Sequence, residues 1–128
     1  MNRTDVQDWL DRYVSAWRSN DPADIAALFT EDAVYGYRPW DSEDQTVSGR
    51  DAVVASWLEE PDEPDSWDAR YEPWAVEGDR AVAVGWSRYL STGDKPERVF
   101  HNAYLLEFAA DGRCRSFHEF YMLEEAPA

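Results

Sequence analysis

The sequence predicts an α+β domain, with helices first and one curved sheet afterwards whose concave face packs on them, and three observations point there. Apolar residues recur at helical spacing in the first half, β-rich segments fill the second half, and short turn signals join those segments into an antiparallel meander. The 128 residues fit one domain spanning 1–128, with 44% apolar residues and 15% aromatics to build its core.

The first helix is expected over 4–19, where Thr4 with Gln7 fits a capping box and Val6, Trp9, Leu10, Tyr13, Val14 and Trp17 form one stripe. Asp21 before Pro22 is an N-cap followed by proline at the first helical position, so a short second helix carries Ile25, Leu28 and Phe29. A short strand follows at 33–37, then a polar loop over 39–48. Ser48 and Asp51 open a third helix whose inner face is Val53, Val54, Trp57 and Leu58 and which stops at Pro61. Residues 59–68 hold six acids and no cation; they lack the ordered ligand spacing of a calcium loop and read as a solvated connection. Strands are expected at 67–77, 80–90, 99–108 and 113–123. Gly78-Asp79 and Asp111-Gly112 serve as hairpin turns, and 91–96 is a longer link.

Charge and composition narrow the function. Twelve Lys and Arg face 27 Asp and Glu, a formal charge of −15, and a field of that sign repels nucleic-acid phosphates and anionic lipid, so neither is an expected partner. The lone Cys114 forms no internal disulfide and has no histidine beside it in the strand register. The first 20 residues lack the basic start and apolar centre of a signal peptide, and no apolar run is long enough to span a bilayer; a cytoplasmic setting is expected. The one lysine, Lys95, lies in a turn sequence, which leaves Schiff-base chemistry without a candidate. His101 and His118 lack metal-ligand spacing, and no glycine-rich phosphate loop, serine elbow or nicotinamide fingerprint occurs, so no metal and no cofactor is expected.

Strand phase sorts the remaining candidates. With a two-residue or four-residue turn at Asp111-Gly112, Phe100, Asn102, Tyr104, Leu106 and Phe108 share a face with Phe117, Glu119 and Tyr121; a three-residue turn reverses that. In the preceding strand Trp86 and Arg88 belong to the larger-residue face, and they are expected at the cavity with Asn102, Tyr104 and Glu119. An aromatic wall with a few polar groups is the composition of a small-molecule pocket. Glu119 in such surroundings loses hydration, which raises its pKa toward the range of a general acid or base at neutral pH.

The order of elements resembles the nuclear transport factor 2 superfamily and its SnoaL-like branch. The matching residues are Arg12-Tyr13-Val14, Asp21-Pro22 through Ala27-Leu28-Phe29 to Glu31-Asp32-Ala33, Ser48-Gly49-Arg50-Asp51-Ala52, and Asp111-Gly112-Arg113. The resemblance implies a cone-shaped sheet enclosing a pocket, often within a homodimer formed through the outer sheet face. It implies a pocket acid seven residues beyond the hairpin glycine, which is Glu119, and an oxyanion-stabilising phenol on the first helix, which is Tyr13. Tyr35 and Tyr37 are placed at the pocket mouth. Departures are equally informative: the isomerase base falls on Tyr37 or Arg38, the second isomerase acid and the cyclase histidine both fall on Tyr104, and the epoxide hydrolase Arg and Asp pair falls near Trp86 and Arg88.

Two functional readings follow. The first is a cofactor-free acid-base enzyme of isomerase, cyclase or hydratase/hydrolase type. It would act on a small apolar or amphipathic molecule through Glu119, with Tyr13 and Tyr104 as hydrogen-bond donors, Arg88 as orienting charge, and Tyr35, Tyr37, Trp86, Asn102, Phe117 and Tyr121 as pocket wall. The second is a ligand-binding or protein-interaction module of the same fold without turnover.

Overall fold

The computed structural model describes residues 1–37, 46–59, 61–91 and 94–124. Helix α1 (Arg3–Ser19) is capped by Asn2, two residues upstream of the expected cap. Asn2 Oδ1 accepts from the Asp5 N–H at 2.8 Å while the Asp5 carboxylate accepts from the Asn2 N–H at 3.0 Å. Thr4 and Gln7 are displaced from the role of capping box because this pair satisfies the free N–H groups two residues earlier. The helix ends at Asn20, whose left-handed backbone (φ 55°) returns its N–H to the Ala16 carbonyl. In α2 (Pro22–Ala26) the Asp21 side chain accepts from the Ala23 N–H, as its N-cap position requires.

Strands β1 (Phe29–Tyr37) and β2 (Thr46–Ser48), helix α3 (Arg50–Glu59), and strands β3 (Trp67–Glu77), β4 (Arg80–Tyr89), β5 (Arg98–Phe108) and β6 (Cys114–Leu123) complete the chain. They form one six-stranded sheet in the order β2-β1-β6-β5-β4-β3, antiparallel throughout except for the parallel pair β1 and β6. β3 to β6 are the expected meander. The first strand is longer than its β-rich core suggested, starting at Phe29, and part of the expected loop is strand: residues 46–48 pair with 34–36. The rest of that loop, 39–45, lies outside the described residues, as do Arg38, Glu60, residues 92–93 and residues 125–128. β2 and β3 are the two edges, so the sheet curves around the helices without closing on itself. Among the described residues no helix is long and apolar enough to cross a membrane.

The last hairpin shows how the site keeps its phase. Its turn has three residues, not two or four: the Ala109 N–H donates to the Arg113 carbonyl at 2.8 Å, and the Gly112 N–H closes on Ala109 at 3.0 Å with φ 86° at Gly112. Such a turn alone would swap the faces. A bulge cancels it, because Phe108 faces Cys114 whereas Glu107 faces Ser116, leaving Arg115 as the extra residue. The register beyond the bulge sets Tyr104 opposite Glu119, Asn102 opposite Tyr121 and Leu106 opposite Phe117. Arg115 is held by the Phe108 carbonyl at 3.0 Å and the Asp79 carboxylate at 2.6 Å.

The core between α1 and the sheet is aromatic. Trp9 is fully buried, donates its indole N–H to the Leu28 carbonyl at 3.0 Å, and meets Tyr13, Phe29, Phe108 and Phe117 at ring-centroid distances of 5.5–6.2 Å. Gly85 in β4 lies opposite Tyr71 in β3, and a Cβ there would come within 2.8 Å of the Tyr71 Cα. Glycine is what allows β3 to approach and seat the Tyr71 ring inward.

Candidate functional site

A cavity of about 310 Å³ opens between the concave face of the sheet, α1 and α3. Its deep part is phenolic: Tyr13 from α1, Tyr35 from β1, Tyr71 from β3 and Tyr104 from β5 are all buried. Tyr104 sits 4.8 Å from Tyr71 and 5.7 Å from Tyr13 between ring centroids. Phe117 lies beneath them as a floor, stacked on Tyr13 at 5.4 Å and on Tyr35 at 4.5 Å, fully buried and behind the cavity wall.

Glu119 enters this environment from β6. The Asn102 side-chain N–H donates to Glu119 Oε1 at 2.5 Å, and the Ser87 hydroxyl donates to Asn102 Oδ1 at 3.2 Å. Tyr71 shares hydrogen bonds with Ser87 and with Tyr104, and Tyr13 with Tyr35. One polar path therefore runs from Tyr104 through Tyr71, Ser87 and Asn102 to the carboxyl. Burial pushes the Glu119 pKa up from 4.5 to about 7, and the Asn102 hydrogen bond pulls against it. The same burial, reinforced by the neighbouring phenols and Glu119, raises Tyr13 and Tyr104 well above the ordinary phenol, so both are proton donors in hydrogen bonds throughout the physiological range. At neutral pH Glu119 is thus able to gain or lose a proton among phenols that keep theirs.

The less buried rings of the lining, Trp17, Trp57, Tyr89, Phe100 and Tyr121, form a second aromatic tier at the rim. Asp62 also lines it: its carboxylate accepts the Trp17 indole N–H at 2.9 Å, and its carbonyl accepts from the Asn20 amide at 3.1 Å. The acid-rich connection read as a solvated loop is therefore tied to the end of α1 and supplies a charge at the mouth.

Of the residues singled out in the sequence, Tyr13, Tyr35, Tyr104, Asn102, Glu119 and Tyr121 come together around the cavity. Tyr37 is paired with Glu119 along the backbone; its side chain lies outside the described residues. Trp86 and Arg88 are corrections. β4 pairs with β5 so that Ala83 faces Tyr104, Gly85 faces Asn102 and Ser87 faces Phe100, which turns Trp86 and Arg88 to the outer face. Arg88 there meets Glu97 at 3.5 Å with both side chains about half exposed, so it orients nothing in the cavity. The concave side is already filled by rings from α1, α3, β1, β3, β5 and β6, so in its deep part β4 contributes small residues, and its own ring, Tyr89, lines the cavity at the rim. Residue size pointed the wrong way. Tyr71 and Ser87 were legible only as members of an alternating strand, and Asp62 carried no signal at all.

The outer face holds His101, paired with Glu124 at 2.8 Å, together with exposed Leu105, Phe120 and Met122. Cys114 is buried, and its thiol is pushed up to about 12, which leaves it inert as a nucleophile. Among the described residues no three His, Cys, Asp or Glu side chains converge as a metal site.

Helices packed on the concave side of a curved six-stranded sheet, with a cavity between them, define a cone-like α+β fold. Residues 10–117 match the SnoaL-like domain, and the chain belongs to that family. Solved structures with the same fold include an NTF-2-like protein from Burkholderia xenovorans LB400, at 19% identity, TM-score 0.69, and coverage of 97% of this chain and 88% of that one. A putative isomerase from Bacillus subtilis matches at 15% identity, TM-score 0.69, and 95% and 90% coverage. An LEH-like epoxide hydrolase from Mycobacterium tuberculosis matches at 11% identity, TM-score 0.66, and 94% and 84% coverage. No curated protein matches the sequence.

Proposed function

We propose that the cavity is the active site of a cofactor-independent acid-base enzyme in which Glu119 moves a proton on a small molecule bound among the phenols. The observation that carries this is the setting of Glu119: a largely buried carboxyl in an aromatic cavity, with one oxygen held by Asn102 and its pKa near 7. A carboxyl so tuned is populated in both protonation states at neutral pH, as proton transfer in either direction requires. Oε1 is engaged by Asn102, which assigns the transferable proton to Oε2. Tyr13 and Tyr104, held protonated by burial, are the donors suited to an oxygen on which negative charge develops. The fold's occurrence in a putative isomerase and an epoxide hydrolase supports small-molecule chemistry without selecting the reaction.

The test has two parts. Carboxyl-carbon NMR, with the signal assigned by Glu119→Gln, should place the Glu119 pKa near 7. A panel of enones, epoxides and lactones should include a substrate whose turnover falls by about a hundredfold or more in Glu119→Gln while the fold survives. An ordinary carboxylate pKa, or turnover indifferent to the substitution, would leave the ligand-binding reading in its place. The outer face with Leu105, Phe120 and Met122 is proposed as the contact with a second copy of this chain, and light scattering at twice the chain mass is the expected result.

A further inference from the structure

The two tiers of the cavity differ in what they can hold. The deep tier presents hydroxyls and an amide to a polar atom. The rim presents ring faces and a carboxylate: Trp17, Trp57 and Tyr121 line it with Asp62, which is pinned beside Trp17 by the indole N–H. Among the described residues lining the cavity there are two acids, Asp62 and Glu119, and no Arg, Lys or His. Aromatic faces carry negative potential and attract a cation placed over them, and a carboxylate beside them adds to that attraction.

The neighbourhood shows the same physics already at work. Arg18 lies 4.4 Å over the ring of Trp67, which stacks on Trp17 at 3.7 Å, and Arg98 lies 5.1 Å over the ring of Tyr89. Neither arginine lines the cavity. Arg18 is instead committed to the Pro64 carbonyl at 2.7 Å and to Asp68 at 3.5 Å. These two arginines thus serve the outside of the rim, and the described residues leave its inside with ring faces and a carboxylate. A ligand bearing a carboxylate or phosphate would meet Asp62 at the mouth and the −15 field of the whole chain on approach, whereas a cation is drawn by both.

We propose that the molecule taken up by this cavity carries an alkylammonium group, seated at the rim over Trp17 and Trp57 beside Asp62, with its remaining body reaching down toward the tyrosines. The inference rests on the reading of the cavity as a ligand site and names the chemical class of that ligand. It does not depend on Glu119 performing chemistry. Asp62 is the specificity-determining group, because it is the charged rim residue held in place by a hydrogen bond, and Trp17 is the residue that positions it.

The test compares two molecules of the same shape on the full chain: benzyltrimethylammonium and its neutral carbon isostere neopentylbenzene. Binding is followed by the indole N–H signals, with Trp17 assigned through Trp17→Phe. The expected result is saturable binding of the cation that moves the Trp17 signal, with affinity at least about tenfold above that of the isostere. Asp62→Asn, which keeps an acceptor for the indole, should lower the cation's affinity about fivefold and leave the isostere's unchanged. Equal affinities, an Asp62→Asn variant that keeps the full preference, shifts confined to residues outside the cavity, or no binding of the cation at all would each overturn the proposal. These outcomes separate from the catalytic reading: a neutral isostere that binds equally well leaves Glu119 chemistry intact, and an ordinary Glu119 pKa sinks that chemistry without touching cation selection.

Discussion

Replacing Glu119 by glutamine should make the protein more stable at alkaline pH and leave it unchanged in acid. In the folded chain the carboxyl titrates near 7, against 4.5 for a carboxyl in water, with desolvation as the cause. Between those values the native state holds a proton that the unfolded chain has released, so native stability falls as pH rises from about 4.5 to 7 and then levels off. The span corresponds to about 3 kcal/mol at roughly 1.4 kcal/mol per pH unit. A glutamine amide has no charge to desolvate, and its oxygen still accepts the Asn102 N–H. Thermal unfolding of both proteins from pH 4.5 to 8.5 is the assay. For a chain of this length, about 4 °C per kcal/mol puts the variant roughly 10 °C above wild type at pH 8, converging to within about 2 °C below pH 5. The chain's other acids act equally in both proteins and cancel in the difference. Two parallel curves, or a variant less stable at pH 8, would refute the claim that this carboxyl is desolvated in the fold.

Two further outcomes follow from the same geometry. Asn102→Ala removes the donor that, among the described residues, favours the Glu119 carboxylate, so the Glu119 pKa should climb above 7 by about 1 to 2 pH units, since a hydrogen bond to a charged group is worth roughly 1.5–3 kcal/mol; carboxyl-carbon NMR reads it, and a fall would contradict the assigned pairing. Gly85→Ala forces a Cβ against the Arg70 carbonyl and the Tyr71 backbone, at an expected cost of about 1–3 kcal/mol in urea unfolding with displaced Tyr71 ring signals, and unaltered stability would show that β3 does not need that approach.

The parts of this protein legible in its sequence are those with a local cause. Helical spacing identified the α1 stripe that buries Trp9 and Tyr13, Asp21-Pro22 marked the start of α2, and alternation around the Gly112 turn brought Asn102, Tyr104 and Glu119 to one face. That last reading held although the turn has three residues, because the bulge at Arg115 restores the parity; a bulge is a property of the paired strands and leaves no mark on either alone. What only the tertiary structure decided has causes distant in the chain. β1 enters the sheet as a parallel partner of β6, so Tyr35 reaches the tyrosine cluster beside Phe117, a residue far along the chain from it. The outward turn of Trp86 and Arg88 depends on how much space rings from other elements leave on the concave side. Asp62 reaches the rim because Trp17 and Asn20, more than forty positions earlier, hold its loop. Period, caps and turns are set by neighbours within a few residues and can be read along the chain. Which face a strand buries, and which loop closes a cavity, is settled by volume and hydrogen bonds that exist only after the elements meet.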